Sequence, residues 1–450
     1  MEKFFKLREN GTTASREVLA GLTTFLTMAY ILAVNPDMLS GRSAGVEAIV
    51  GMPWGGIFTA TALSAAIATI VMAFSANLPV ALAPGMGLNA FFVYTVVLGM
   101  GYSWRVALTA VFLEGILFIV LSLVNVREAI IKAIPINLKK AVAVGIGLFI
   151  ALIGFSNAGI VVGNAGTIVG LGNLTSGSAL VAILGFIIII VLFALKVPGA
   201  ILLGIFITTA IGIPLGVTTL PGNWRPFSMP DAPLLFQFDF STILTWIPVG
   251  KISFPMISFD FFLIFFSFLF VDIFDTVGTL VGVTTQAGLI DKNGNIPRVK
   301  QALLSDAIGT VAGAALGTST VTSYVESAAG VAAGGRTGLT ALTTGILFLL
   351  ALFLSPLFQL IPSAATAPAL IMVGFLMMKP VTTIDFTDPS EGIPAFLAIV
   401  MMPFAYSIAE GIVYGVLSYV ILKVAAAKFR DITVVTWILF GIFLLRFFMK

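Results

Sequence analysis

The sequence predicts an all-α polytopic membrane protein of fourteen spans in two inverted seven-span repeats, with short extended segments before half-helices in spans 3 and 10. Three observations predict it: an apolar composition, apolar runs of bilayer length that recur along the chain, and breaks at matching places in its two halves. Of the 450 residues 59% are hydrophobic and 10% charged, against roughly 25% charged in an average soluble domain. A hydrocarbon core about 30 Å thick takes about 20 helical residues to cross. Only helices and closed barrels satisfy their own backbone in lipid, and these continuous Leu, Ile, Val, Phe and Ala runs lack the alternation of a barrel strand.

Taken in order from the apolar runs and the breakers between them, the first seven spans fall near 18–34, 55–74, 80–100, 105–124, 139–155, 179–195 and 199–215. A polar, Pro-rich connection covers 221–258. Seven more follow near 260–285, 301–316, 319–333, 340–355, 364–379, 393–407 and 409–426. The repeats are therefore 1–220 and 259–430, and the apolar segment 431–450 is read as lying along the interface rather than as a fifteenth span. The 45 glycines and 21 prolines suit spans that pack closely or break around a cavity.

Charge gives an independent test, because Lys and Arg collect in cytoplasmic loops. With the N-terminus inside, Lys3, Lys6, Arg8, Arg16, Arg127, Lys132, Lys139, Lys140, Lys196, Lys292, Arg298, Lys300, Arg336, Lys379, Lys423, Lys428 and Arg430 fall on that side, and only Arg42, Arg105, Arg225 and Lys251 outside. The asymmetry predicts a multi-pass cell-membrane protein with a cytoplasmic N-terminus. Its basic start runs into the first span without a small-residue cleavage site, unlike a removable signal peptide. The halves resemble each other: Gly115-Ile-Leu-Phe118 recurs as Gly345-Ile-Leu-Phe348, Ile134-Pro135 as Ile361-Pro362, and Gly145 as Gly374. Seven spans is an odd number, so the second copy enters from the opposite side, as in secondary transporters.

The chemistry is expected where the spans break. The third span opens with Pro79, Pro84, Gly85 and Gly87, and its counterpart runs Gly317-Thr-Ser-Thr-Val-Thr-Ser-Tyr-Val-Glu326 before a Gly/Ala-rich helix. Non-helical backbone at membrane depth is tolerated where it is buried in protein or lines a cavity, and paired breaks point to a transport site. Half-helix N-termini there offer free N–H groups to a polar solute.

Acidic residues inside spans are the second signal, since a carboxylate at the bilayer centre costs about 3 kcal/mol. Asp272 and Asp275, three residues apart, share one helix face, and Glu326 sits at the second break. The chain has no cysteine and no histidine, so proton handling falls to carboxylates or, less readily, to Lys or Tyr, thiolate metal sites are excluded, and neither metal nor cofactor is expected. Asp306 is a supporting hydrogen-bond candidate; Glu114 and Glu410 read as structural or interfacial. Most phenylalanines pack or face lipid, but Phe91, Phe92 and Phe274 lie beside the breaks, where a ring stacks on a planar ligand. Asn89 brings a donor and an acceptor to the first break.

These segments together resemble the azaguanine-type purine permeases of the nucleobase/ascorbate transporter family. The resemblance runs from Gly21-Leu-Thr-Thr-Phe-Leu-Thr-Met-Ala-Tyr30 through Ala83-Pro-Gly-Met-Gly-Leu-Asn-Ala90 and Phe274-Asp-Thr-Val-Gly-Thr279 to Glu326-Ser-Ala-Ala-Gly330 and Gly334-Gly-Arg-Thr-Gly338. It implies a core of spans 1–4 and 8–11 moving elevator-like against a gate of spans 5–7 and 12–14, and proton-coupled uptake of adenine, hypoxanthine, guanine or xanthine by a homodimer. It further implies binding by Asn89, Asp275, Tyr324 and Glu326 and a functional acidic position at Asp272; the residues' own chemistry adds Phe91 or Phe274 against the ring face and coupling through Asp272, Asp275 and Glu326. Thr279 stands where uracil transporters of the wider family have histidine, which argues against a uracil-type site.

Other readings are weaker. A sulfate-permease-type anion carrier shares the inverted-repeat fold, but usually carries a soluble domain after its spans, and paired carboxylates suit an anion poorly. An intramembrane aspartyl enzyme draws its pair from two elements, whereas Asp272 and Asp275 share one helix. Concentrative, uncoupler-sensitive uptake separates a carrier from a channel.

Overall fold

The computed structural model describes residues 2–123, 135–249, 252–290 and 296–449. Arg127, Lys132, Lys251, Lys292 and Lys450, and Ile134 of the repeat, lie outside the described residues.

The first apolar run forms α1 (Ala14–Met28), which opens at Thr13, whose hydroxyl accepts the Arg16 N–H; it resumes beyond Tyr30 as α2 (Ile31–Leu39). Then come α3 (Trp54–Ser75), β1 (Leu82–Pro84) and α4 (Met86–Ala90), which continues in wider π-helical winding over Phe91–Gly99. α5 (Trp104–Leu123) and α6 (Ile136–Asn157) follow, with a hairpin of β2 (Val161–Asn164) and β3 (Ile168–Leu171) before α7 (Gly177–Ala194) and α8 (Ala200–Gly212). The connection between the halves carries a second hairpin, β4 (Leu244–Val249) and β5 (Ile252–Ile257). Neither hairpin stands out in the apolar pattern.

The second half runs α9 (Phe259–Gln286), α10 (Val299–Leu316), β6 (Val321–Ser323), α11 (Ser327–Ala332), α12 (Gly338–Ala351), α13 (Ser363–Met377), α14 (Pro389–Phe404) and α15 (Ile408–Ala425), and the apolar C-terminal segment forms α16 (Val434–Met449). Among the described residues, nine segments are long and apolar enough to cross a membrane, and Met86–Gly99, Ala200–Gly212, Pro389–Phe404 and Val434–Leu444 are shorter apolar helices. The protein is a multi-pass helical membrane protein.

The helices pack in two groups. In one, α1 lies on α11 and α12, α3 on α10 and α12, and α5 on α9 and α10. In the other, α6 packs on α13, α14 and α15, with α7 and α8 against α13. Two of the glycines that relate the halves have matching surroundings. A Cβ on Gly115 would sit 2.8 Å from Val311 of α10, and one on Gly345 would sit 2.8 Å from Ile70 of α3. The third match shifts by half a turn. Gly374 crosses Gly147, whose carbonyl lies 2.5 Å from where its Cβ would be, while Gly145 packs instead on Met402 and Ala398 of α14.

Candidate functional site

The two breaks meet. β1 and β6 pair antiparallel, Leu82 with Ser323, Ala83 with Thr322 and Pro84 with Val321, and every one of these residues is buried. Three residues per strand leave several backbone groups without a ladder partner, and buried peptide groups must find one. Two threonines supply it. Thr69 of α3 accepts the Leu82 N–H at 2.9 Å and donates to the Leu82 carbonyl at 3.1 Å. Thr310 of α10 does the same for Val321, at 3.2 and 2.9 Å. Outside the ladder, the Gly85 N–H donates to Thr320 O and the Tyr324 N–H to Ala81 O, both at 2.9 Å, and the Ala81 N–H to Ser327 Oγ at 3.0 Å. Gly85 is required by the approach of Thr322, whose methyl lies 2.6 Å from where a Cβ would stand.

The polar side chains gather around this joint. The Tyr324 hydroxyl donates to the Pro84 carbonyl, tying one extended segment to the other. Asn89, fully buried on α4, accepts from the Ser319 hydroxyl and directs its amide N–H at Met86 Sδ, 3.8 Å away. Glu326, at the start of α11, accepts from the Tyr30 hydroxyl at 2.6 Å. The Thr27 hydroxyl lies 3.4 Å from the Glu326 carbonyl. Asp275 of α9 faces Thr322 of β6, with the hydroxyl 3.4 Å from Oδ2. Thr322 is 2.9 Å from the Thr276 hydroxyl, which donates at 2.7 Å to Asp306 of α10.

Asn89, Asp275, Tyr324 and Glu326 thus border the β1–β6 joint, and Asp306 stands behind it, linked through two threonines. Asp272 lies one turn before Asp275, fully buried on α9. Thr279 is buried a further turn along the same helix. The aromatic candidates lie elsewhere. Phe91 is buried with its ring edge-on to Phe268 at 4.9 Å. Phe274 packs on Phe270 at 4.7 Å, carries Lys139 Nζ of α6 at 5.2 Å over its face, and lines a 120 Å³ apolar cavity closed by Val435 and Leu439 of α16. Tyr30, Thr276 and Thr322 join the candidate set through their contacts alone. Tyr30 ends the Gly21–Tyr30 motif, and a hydroxyl at the end of an apolar run was the available signal.

The site offers carboxylate acceptors at Asp275 and Glu326, with hydroxyl and amide donors at Tyr324, Tyr30 and Asn89. Among the described residues no set of three His, Cys, Asp or Glu side chains converges as a metal site. Such a cluster, at a joint of two broken helices inside a multi-pass helical protein, defines a membrane transporter and not an enzyme. The family model described as the Permease family matches residues 15–414, and the chain belongs to that family, the nucleobase/ascorbate transporters.

Its relatives include the adenine permease AdeP of Escherichia coli (strain K12), 45% identical over 99% of this chain and 95% of the relative. Another is the guanine/hypoxanthine permease PbuG of Bacillus subtilis (strain 168), 45% identical over 99% of both. Among solved structures, the transmembrane domain of a cyanobacterium bicarbonate transporter, BicA, superposes with a TM-score of 0.61 at 16% identity, over 88% of this chain and 97% of that one. The murine Solute Carrier 26 family member A9 anion transporter superposes at 0.60 with 12% identity, over 91% and 68%. At such identities the likeness is one of fold.

Proposed function

We propose that the chain imports purine bases together with protons, by an elevator-like alternating-access movement. The observation that carries this reading is the convergence of Glu326 and Asp275 on the β1–β6 joint in a chain whose full-length relatives are named adenine and guanine/hypoxanthine permeases. A purine presents N–H donors and ring-nitrogen acceptors around a flat face. Glu326 and Asp275 accept from its N–H groups, Asn89 and Tyr324 complete the polar rim, and Asp272, Asp275 or Glu326 carries the coupled proton.

The finer architecture belongs to the same reading: fourteen spans, inverted repeats at 1–220 and 259–430, a connection at 221–258, and 431–450 along the interface. The matched caps of Thr69 and Thr310, and the matched contacts of Gly115 and Gly345, support the repeats. The two packing groups support a core of spans 1–4 and 8–11 and a gate of spans 5–7 and 12–14. The N-terminus is cytoplasmic, and the protein works as a homodimer.

Uptake of labelled hypoxanthine and adenine, competed by each base in a strain without its own purine carriers, tests the reading. Glu326→Gln and Asp275→Asn are expected to lower uptake by about tenfold or more, since each replaces a charged two-oxygen acceptor by an amide with one acceptor oxygen and one NH2 donor. Uptake unchanged in both variants would sink the site assignment.

A further inference from the structure

Three contacts join the site carboxylate to a buried one. Thr276 donates to Asp306 at 2.7 Å, the hydroxyls of Thr276 and Thr322 lie 2.9 Å apart, and Thr322 lies 3.4 Å from Asp275. Asp306, Thr276 and Thr322 are sealed from solvent, whereas Asp275 is only half-buried. The chain therefore leads from the joint into the protein, crossing α9, β6 and α10.

The number of protons along it sets what it can hold. Each threonine has one hydroxyl proton, and an ionised carboxylate has none. Two protons cannot fill three contacts. With both carboxylates ionised one contact goes unfilled: either the two hydroxyl oxygens face each other with no proton between them, or Thr322 donates to Thr276 and leaves Asp275 without its donor. With one added carboxyl proton all three contacts are filled. If Asp275 carries it, Asp275 donates to Thr322, Thr322 to Thr276, and Thr276 to ionised Asp306. If Asp306 carries it, every arrow reverses.

We propose that Asp306, Thr276 and Thr322 form with Asp275 a relay that holds one carboxyl proton and passes it between Asp275, at the site, and Asp306, behind it. In the inward step the Asp275 O–H bond breaks as its proton bonds to Thr322, the Thr322 proton bonds to Thr276, and the Thr276 proton bonds to Asp306. Both hydroxyls are regenerated, and one proton has moved from one carboxyl to the other. Parked on Asp306, it leaves Asp275 ionised and able to accept from a purine N–H. Thr276 and Thr322 are positioning residues, and Asp306 is the store.

The proposal rests on the proton-coupled reading above. Other ionisable groups lie close. Glu326 and Tyr324 flank Asp275 from the β6–α11 segment, and Tyr30 from the turn before α2. Asp272 precedes it by one turn on α9. Lys139 of α6 sits over Phe274, and α5, packed on both α9 and α10, carries buried Glu114. A change in pH profile alone would therefore not single out the relay, and the test compares two transport modes.

The full-length protein in proteoliposomes is assayed for purine accumulation driven by an imposed pH gradient and for purine counterflow at equal pH, which needs no net proton transfer. Thr276→Val and Asp306→Asn are expected to lower the ratio of gradient-driven uptake to counterflow on the order of tenfold, while Thr276→Ser, which keeps the hydroxyl, holds the wild-type ratio. A wild-type ratio in Thr276→Val and Asp306→Asn overturns the relay. Equal loss in the serine and valine variants also overturns it, since the hydroxyl is then not the cause. A wild-type protein that does not respond to the pH gradient overturns the proton-coupled reading itself, a result distinct from the other two.

Discussion

Glu17 takes up more of its surroundings than any residue at the site. It is fully buried in the first turn of α1, and its carboxylate accepts the N–H groups of Arg336, Thr337 and Thr340 at 2.8, 3.2 and 3.2 Å and the hydroxyls of Thr337 and Thr340 at 2.9 and 2.6 Å. These are the free donors of the N-terminus of α12 and the loop before it, where an acidic group is favoured. Replacing Glu17 by Ala leaves the donors buried without an acceptor, at a cost of about 3 kcal/mol. A lower apparent Tm of the purified protein at fixed scan rate checks this, with the order of competing purines unchanged in whatever folds. An unchanged Tm would mean that water replaces the carboxylate. The sequence lists Glu17 as one more acidic residue near a basic terminus, because its partners lie about 320 positions away. Asp275, Glu326 and Asn89 were legible for the opposite reason: each is polar within its own apolar or broken run, and so reads as costly without knowledge of neighbours.

At the scale of elements, the breaks were legible and their fastening was not. Pro79, Pro84 and the β-branched run before Glu326 exclude continuous helix, so extended backbone follows from local chemistry. That β1 pairs with β6, and that Thr69 and Thr310 close their exposed peptide groups, depends on helices far along the chain. Threonine inside a helix normally bonds back to its own turn, and nothing in its immediate sequence marks the two that reach outward. Each cap satisfies one N–H and one carbonyl of a buried strand. Thr69→Val and Thr310→Val should each destabilise by about 1–3 kcal/mol, from the two orphaned groups, and by similar amounts. Thermal unfolding of each variant in detergent measures it. A large loss in one and none in the other would break the equivalence of the two halves.

For the whole molecule, the proposed elevator movement requires the contacts between the proposed core and gate to open on one side as they close on the other, and a polar set joins α2 to α13, one from each. Asp37, at the end of α2, accepts from Trp54 Nε1 at 3.2 Å and from Thr366 of α13 at 3.0 Å. Arg42 lies 3.6 Å from Asp37 and donates at 3.1 Å to the Gln359 carbonyl. Beside them a cavity of about 280 Å³ opens between Arg42, Trp224 and Pro362. In the proposed orientation, with a cytoplasmic N-terminus, this set faces outward. The charge pattern reads Arg42 on that side, but its bond to the Gln359 carbonyl, 317 positions away, and that of Asp37 to Thr366, 329 away, are properties of the assembled halves. If the contacts hold the outer face shut, Asp37→Asn weakens them by about 1.5 kcal/mol and raises the open fraction roughly tenfold. The chain has no cysteine, so Ala364→Cys, buried at the start of α13, is a single reporter that needs no background removed. A membrane-impermeant maleimide added from outside should label it about tenfold faster in the Asp37→Asn background than alone. Equal rates would mean that the apolar packing of α2 against α13 keeps the face closed, and the polar set then only fixes the register in which it shuts.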